Sequence, residues 1–303
     1  MSKTYHNSFF AMNTRFHAVF PNLDYNYADQ VFHALKMEVN RIEQKISRFI
    51  PESDLSIINK TAFKHPVSLD EELFEILSSC KEYWKLTEGA FDVTLRPFIT
   101  YWNEKPEPQR STSQLSNIFN QVGMVHLHLD KSNRTISFDN KHIEIDLGGF
   151  GKGYALERVD SLLNTHNIKS AFISFGESSI LTLGRHPAGD CWKVGLNNYL
   201  EPGSSIHEYP MQNSSMSTSA NFYLDDNGTL CNHNHVIDPV KGVPVNDFIS
   251  LAVFCNSSII AEILSTALLV SSDSVIRNTM EKIEELNVVK IDYSSDEARV
   301  IKF

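Results

Sequence analysis

The stretch HIEIDLGGFGKGYALERV, residues 142–159, says most about how the chain folds. Its alternating apolar residues predict a strand that ends at Asp146, then a glycine-rich turn, then a helix from about Gly153. Glycines let a backbone approach a ligand closely, and free N–H groups at a helix start favour a phosphate. The third glycine of a dinucleotide fingerprint is missing, and Lys152 is not followed by the Ser or Thr of a Walker A loop. A phosphate site and a plain strand-to-helix turn both remain open.

The chain on either side of this stretch mixes helical and strand patterns. Apolar residues recur every three or four positions in the predicted helices, at 27–49, 70–87, 113–122, 154–166, 258–270 and from about 273. Apolar and polar residues alternate in the predicted strands, at 9–20, 125–130, 135–139, 142–147, 170–176, 191–196, 235–239, 250–255 and 288–303. Strands mixed with paired helices favour an α+β fold over a regularly alternating parallel sheet.

Composition and charge narrow the possible functions. The 303 residues are 42% hydrophobic, which is enough apolar material for a core, and the length alone predicts about two domains or one large one. The net charge of −10 argues against a nucleic-acid-binding surface, because phosphate contacts need clustered Lys and Arg. No apolar run reaches the roughly 18 residues that a membrane span needs. We therefore expect neither nucleic acid nor a membrane span among the partners.

The cysteines and the N-terminal residues are evidence about the cellular compartment of the protein. The cysteines are scattered and form no CxxC pair, which favours reduced thiols over a disulfide framework: Cys80, Cys191, Cys231 and Cys255. The opening MSKTYHNSFFAMNTRFHAVF has no signal-peptide core and no lipobox-like cysteine. As written, the sequence predicts a cytoplasmic protein, or a periplasmic one if an N-terminal segment has been trimmed.

The helix predicted at 258–270 is largely apolar but keeps a carboxylate and a hydroxyl together. Glu262 and Thr266 are four residues apart, so they project from one face. Their oxygens are hard ligands suited to Mg²⁺, which completes its shell with phosphate oxygens and water. In a second interpretation the glutamate stabilises the first turn and the threonine bonds back to a carbonyl. The residues alone do not decide between the two.

Three other polar stretches are candidates for chemistry. Cys231, His233 and His235 alternate and would share one face of a strand, so they could bind zinc. Alternatively, one histidine is a general base that Asp238 orients. Asp92 could accept hydrogen bonds from a base or ribose, or it could be a local cap. The cluster SMSTSANFY, 215–223, could equally be a loop.

Taken in order, seven stretches resemble the ApbE family of flavin transferases, which use FAD to place FMN on a threonine of another protein. The resemblance covers nearly the whole chain. The stretches are AMNTRF (11–16), ISRFIPESDLSIIN (46–59), GAFDVTLRPF (89–98), IDLGGFGKGYALE (145–157), STS (217–219), HVIDPVKGVPV (235–245) and AEILSTALLV (261–270). It implies an ApbE-like (T-fold-like) α+β architecture with largely antiparallel sheets and packed helices. It also implies one domain over 1–303, or two lobes with the FAD site between them.

The resemblance also implies the site. Glu262, Thr266 and the carbonyl of Gly149 would hold Mg²⁺, and His235 would be the catalytic base. The positions that match FAD contacts are Met12, Phe49, Ala90, Phe91, Asp92, Asp146, Lys152 and Val236. The implied reaction is Mg²⁺-dependent transfer of FMN from FAD to a Ser or Thr hydroxyl of an acceptor protein, with release of AMP. Two alternatives share these residues: a Mg²⁺-dependent FAD pyrophosphatase that yields FMN and AMP, and a flavin-binding protein without catalysis.

Four positions depart from the family pattern. Glu262 stands where an aspartate is usual and is one methylene longer. Glu177 occupies the place of a second glycine in SFGESSI, and Ala220 replaces the glycine of a Thr-Ser-Gly stretch. Phe49 stands where a tyrosine is usual.

Overall fold

The computed structural model describes residues 4–104, 111–232 and 235–303. Its strands, in chain order, are β1 (Thr4–Ala11), β2 (Thr14–Pro21), β3 (Val67–Ser68), β4 (Leu127–Asp130), β5 (Thr135–Phe138), β6 (Ala171–Phe175), β7 (Ser179–Leu183), β8 (Trp192–Asn197), β9 (Ser205–Met211), β10 (Ser214–Ala220), β11 (Phe222–Leu224), β12 (Leu230–Asn232), β13 (Ile237–Asp238), β14 (Val243–Pro244), β15 (Ile249–Cys255), β16 (Asn287–Asp292) and β17 (Arg299–Lys302).

The described helices are α1 (Tyr25–Ile46), α2 (Asp54–Thr61), α3 (Glu71–Leu86), α4 (Arg96–Glu104), α5 (Thr112–Phe119), α6 (Gly151–Thr165), α7 (Ser258–Leu269) and α8 (Asp273–Lys282), with a short 3₁₀ turn at Met124–His126. Side-chain oxygens of the preceding residues accept a hydrogen bond from the first turn of several of them, which fixes where those helices begin. Such caps are Asp24, Ser53, Asp70, Ser111 and Ser257.

An eight-stranded sheet organises the fold, in the order β1-β2-β6-β7-β10-β15-β16-β17. Every neighbouring pair in it is antiparallel. The predicted α+β class with largely antiparallel sheets is confirmed. None of the described helices is both long and apolar enough to cross a bilayer.

Strand β15 shows how the sheet is covered on both sides. Leu251 and Val253 pack against α7 and α8, whereas Ala252 and Phe254 face the β8–β9 hairpin, and all four are buried. Burial on both faces explains why the strand reads as a nearly continuous apolar run. Towards β1, the helices α1 and α6 cover the sheet with the apolar face that their spacing predicts.

Two sequence interpretations need correction. The strand predicted at 142–147 is wrong, because these residues are irregular: Ile145 exchanges hydrogen bonds with the side-chain amide of Asn59, and the Asp146 N–H donates to the Val93 carbonyl at 2.8 Å. The cluster at 215–223 is not a loop, because it forms most of β10 and continues into β11. The polar side chains of β10 are matched by polar groups of α7, which a single sequence segment does not reveal.

Helices α6 and α7 pack closely together at Gly153. A Cβ atom there would lie 2.6 Å from the Ser258 carbonyl oxygen and 2.7 Å from Glu262 Cβ. We therefore expect Gly153→Ala to lower the free energy of unfolding by about 1–3 kcal/mol, although alanine is the better helix former. Urea denaturation measures this loss. Gly189→Ala is the matched control because the added Cβ would have an ordinary 3.8 Å contact, and an unchanged Gly153→Ala variant would contradict the close packing.

Candidate active site

Two adjoining cavities of about 730 and 720 Å³ lie beside the glycine-rich turn before α6. Each is within the size range of small-molecule sites. Residues from three separate parts of the chain form their common wall: Arg48, Asp146, Gly148, Lys152, Gly176 and Ser178. A ligand longer than either cavity could therefore pass from one to the other.

The structure brings the sequence-predicted site residues to these cavities. The larger one is lined by Ala90, Phe91, Asp92, Asp146, Gly149, Lys152, His235, Val236, Glu262 and Thr266. The other is lined by Met12, Phe49, Asp146 and Lys152. Residues as far apart in sequence as Met12 and Thr266 thus line two cavities that share a wall.

The glycine-rich turn lies at the wall of both cavities, and the N–H groups of Phe150 and Gly151 donate within it to the Leu147 carbonyl at 3.0 and 2.8 Å. Asp146 Oδ1 accepts a hydrogen bond from the Gly148 N–H at 2.9 Å and so fixes the start of the turn. Helix α6 then begins at Gly151, and its N-cap residue, Phe150, has no side-chain hydrogen bond to the first turn. An uncapped helix start is chemically suited to an anion such as a phosphate.

Glu262 is buried and held by three side chains. Its Oε1 is paired with the ammonium group of Lys152, and its Oε2 accepts hydrogen bonds from Ser179 at 2.6 Å and Ser217 at 2.9 Å. A buried carboxylate needs such partners because desolvation penalises its charge. The carboxylate is thus presented from α7 in a fixed position at the wall of the larger cavity.

The donor set beside Glu262 fits a hard cation. Thr266 Oγ1 is one turn further along α7 and lies 3.1 Å from Ser219 Oγ. Gly149 lies alongside it, since a Cβ built there would be 3.7 Å from Thr266 Oγ1. One carboxylate, one hydroxyl and backbone carbonyls are the oxygen ligands that Mg²⁺ accepts, with water or phosphate completing its shell. Such a cation would share the Glu262 carboxylate with Lys152 or displace its ammonium group.

His235 is exposed at the wall of the larger cavity and precedes β13. The carboxylate of Asp238 accepts hydrogen bonds from the N–H groups of Val240 and Lys241 and pairs with the Lys241 ammonium at 3.0 Å. The carboxylate therefore organises the turn between β13 and β14, and its orienting role towards His235 stays a prediction. His233, the central member of the zinc hypothesis, lies outside the described residues.

Asp92 caps its local turn and also lines the larger cavity. Its carboxylate accepts hydrogen bonds from the Thr94 N–H at 2.7 Å, the Thr94 hydroxyl at 2.6 Å and the Met124 N–H at 3.3 Å. Burial raises the pKa of this carboxyl, and these hydrogen bonds oppose the rise. The capping interpretation thus describes its contacts, and its role towards a ligand stays a prediction.

Glu177 adopts a backbone conformation that glycine tolerates better. It sits in the turn between β6 and β7 with φ +60°, directly after Gly176 at φ +66°, and it lines the larger cavity. Burial raises the pKa of the neighbouring Tyr199, and the Glu177 charge raises it further. A left-handed conformation costs a residue with a Cβ about 1–2 kcal/mol.

Glu177→Gly is therefore expected to raise the free energy of unfolding by about 1 kcal/mol, because it removes this strain. Chemical denaturation of the purified variant measures the change. Glu177→Ala serves as the matched control, since it removes the charge but keeps the Cβ and should gain much less. Equal stability of the two variants would show that backbone strain at this position is negligible.

Sequence reasoning named the cluster at 215–223 but left open whether it was functional or a loop. The serines of β10 recur at every second position, a period-two signal that predicts one strand face: Ser215, Ser217 and Ser219. Among the described side chains, the Thr218 hydroxyl is buried without a hydrogen-bond partner, and it lines the larger cavity. A buried unpaired hydroxyl in a cavity wall favours a polar ligand there. Arg48, whose role no sequence pattern indicates, belongs to the common wall.

Comparison with known proteins gives one consistent result. The sequence profile of the ApbE family matches residues 12–289. An FAD:protein FMN transferase of Haemophilus influenzae is 27% identical over 253 residues, which cover 80% of this chain and 72% of the relative. An FAD:protein FMN transferase of Chlamydia pneumoniae is 31% identical over 167 residues, which cover 53% of this chain and 52% of the relative.

Solved structures show the same fold. The flavin transferase ApbE from Vibrio cholerae superimposes with a TM-score of 0.85 at 20% identity, covering 100% of this chain and 97% of its own. The ApbE protein from Thermotoga maritima gives a TM-score of 0.83 at 21% identity, covering 98% and 96%.

Proposed function

The chain belongs to the ApbE family, and from that premise we propose that it transfers FMN from FAD to a Ser or Thr hydroxyl of an acceptor protein, releasing AMP. One observation carries the proposal: residues from all seven family-like stretches line two cavities that meet at the glycine-rich turn. FAD is a long ligand with a charged diphosphate in the middle. It suits two cavities that share a wall containing Arg48 and Lys152.

The chain's own residues would bind FAD at three places. The uncapped start of α6 and the Lys152 ammonium lie where a diphosphate needs hydrogen bonds and positive charge. Phe49 and Met12 offer apolar surface in the second cavity, and Phe91 and Val236 offer it in the larger one. Such placement matters because phosphoryl transfer depends mostly on position and charge stabilisation.

Glu262, Thr266 and the Gly149 carbonyl would hold Mg²⁺. Bound there, Mg²⁺ supplies charge neutralisation of the diphosphate oxygens. Ser179 and Ser217 hold the Glu262 carboxylate towards the cavity whether or not Lys152 remains paired with it. A lysine that exchanged its carboxylate partner for a phosphate oxygen would stay on the same wall.

His235 would act as the general base. It stands exposed at the cavity wall, where an acceptor hydroxyl can reach it from outside. The hydroxyl oxygen attacks the phosphorus on the FMN side, its proton passes to the imidazole, and the bond from that phosphorus to the oxygen of the AMP phosphate breaks. AMP leaves with that oxygen, so the chain needs no nucleophile of its own.

A denaturing gel tests this proposal. The protein is incubated with FAD, Mg²⁺ and a domain that another ApbE-family enzyme flavinylates, and the acceptor band is examined for flavin fluorescence. Fluorescence that survives denaturation and is lost on chelation supports FMN transfer. A dark acceptor with free FMN and AMP in solution favours the pyrophosphatase, while a dark acceptor with intact FAD favours a binding protein.

A further inference from the structure

Arg48 is fixed between the two cavities by contacts to Asp146 and Phe49. It follows the C-terminus of α1, and its Nε donates a hydrogen bond to Asp146 Oδ2 at 2.6 Å. The centre of its guanidinium group lies 3.9 Å from the centre of the Phe49 ring. The Arg48 side chain is only 15% exposed, whereas Phe49 is 74% exposed. The guanidinium is therefore oriented by a carboxylate at one edge and by an aromatic face.

The hydrogen-bonding capacity of Arg48 is not used up by these contacts. Among the described residues, its two Nη groups donate no hydrogen bond, while Nε is occupied by Asp146. A guanidinium held in this way presents its remaining donors in one plane, a geometry that matches phosphate oxygens. Because Arg48 lines both cavities, a ligand that occupied both would lie beside it.

The common wall offers two cationic groups to an anionic ligand. Arg48 and Lys152 are the cations of that wall, and each is paired with one carboxylate, Asp146 or Glu262. A diphosphate placed between them would gain two cationic partners without requiring either carboxylate to move away. Lysine at position 48 would lack both the fork of donors and the planar contact with Phe49.

We propose that Arg48 is a substrate-binding residue that contacts the diphosphate of FAD through its Nη groups, with Asp146 and Phe49 as the residues that position it. This inference rests on the proposed function, since it assumes that FAD occupies both cavities. The proposal predicts that Arg48 contributes to the binding of the diphosphate and does not contribute to the binding of the flavin ring.

Fluorescence titrations in EDTA test the proposal with two flavins, FAD and riboflavin, which lacks phosphate. Arg48→Gln should weaken FAD binding by about 10- to 100-fold, the size of one or two hydrogen bonds to a charged group, and leave riboflavin affinity within about twofold. Arg48→Lys should recover part of the loss. Arg185→Gln is the matched control, because Arg185 is an exposed arginine paired at 3.7 Å with Asp190, and it should change neither affinity.

The outcomes separate this proposal from the proposed function. Equal losses for FAD and riboflavin, tighter riboflavin binding, or an unchanged FAD affinity in Arg48→Gln would overturn the diphosphate contact while leaving FMN transfer standing. If wild-type riboflavin binding is too weak to follow, the salt dependence of the FAD affinity decides instead. Because Arg48→Gln loses one phosphate contact, its FAD affinity should fall less steeply with increasing salt than that of the wild type. An equally steep fall would overturn the proposal. A wild-type protein that bound no FAD would overturn both.

Discussion

Glu262→Ala is expected to reduce Mg²⁺-dependent FMN transfer by about 10²-fold or more. The variant loses the carboxylate of the proposed cation site, and a metal ion at a transferring phosphoryl group contributes several kcal/mol, with each 1.4 kcal/mol worth tenfold in rate. The loss should be confined to metal-dependent steps. Transfer rates measured over a range of Mg²⁺ concentrations, together with Mg²⁺ affinity from calorimetry, check this prediction.

The matched variant is Glu262→Asp, which keeps the charge and introduces the aspartate typical of the family. We expect it to retain Mg²⁺ affinity and transfer, with a rate within about tenfold of the wild type if the backbone accommodates the shorter side chain. Glu262→Ala also deprives Ser179, Ser217 and Lys152 of a buried partner, so its thermal midpoint must be measured alongside. A folded Glu262→Ala protein with wild-type Mg²⁺ affinity would remove Glu262 from the cation site.

His235→Ala is expected to slow FMN transfer by about 10²–10⁴-fold, the usual contribution of a general base. FAD affinity should change little, because the His235 side chain is not among the proposed FAD contacts. Single-turnover transfer with saturating acceptor gives the rate, and fluorescence titration gives the FAD affinity.

An exposed histidine far from the cavities provides the control. His33 on α1 has a side chain that is 66% exposed and lies 3.6 Å from Asp29, so His33→Ala should transfer FMN at the wild-type rate. A His235→Ala variant with an unchanged transfer rate would exclude His235 as the base. The acceptor hydroxyl would then need another proton acceptor or solvent.

The fold was most predictable where local pattern and tertiary packing agree. The apolar run of α7 and the three-to-four-residue spacing of apolar residues in α1 predicted helices that the structure contains. Each helix buries the apolar face that its sequence predicts. The prediction failed at 142–147, where the alternating residues IEID look like a strand. There the backbone hydrogen bonds go to Asn59 and Val93, two partners distant in sequence, instead of to a ladder.

The candidate site was predictable mainly through family resemblance. Glu262 and Thr266 drew attention because polar groups are unusual on an apolar helix, but their hydroxyl partners on β10 looked like a loop. Arg48 gave no signal at all, since its importance comes from an ion pair with a residue 98 positions away. Tertiary contacts of this kind cannot be deduced from spacing along the chain.

The proposed transfer is tested most directly by the intact mass of an acceptor domain after incubation with this protein, FAD and Mg²⁺. We predict a mass increase of one FMN group on a Ser or Thr, formation of AMP in equal amount, and loss of both products when Mg²⁺ is chelated. An acceptor of unchanged mass in a reaction that nevertheless consumes FAD would contradict protein flavinylation and assign the site to hydrolysis.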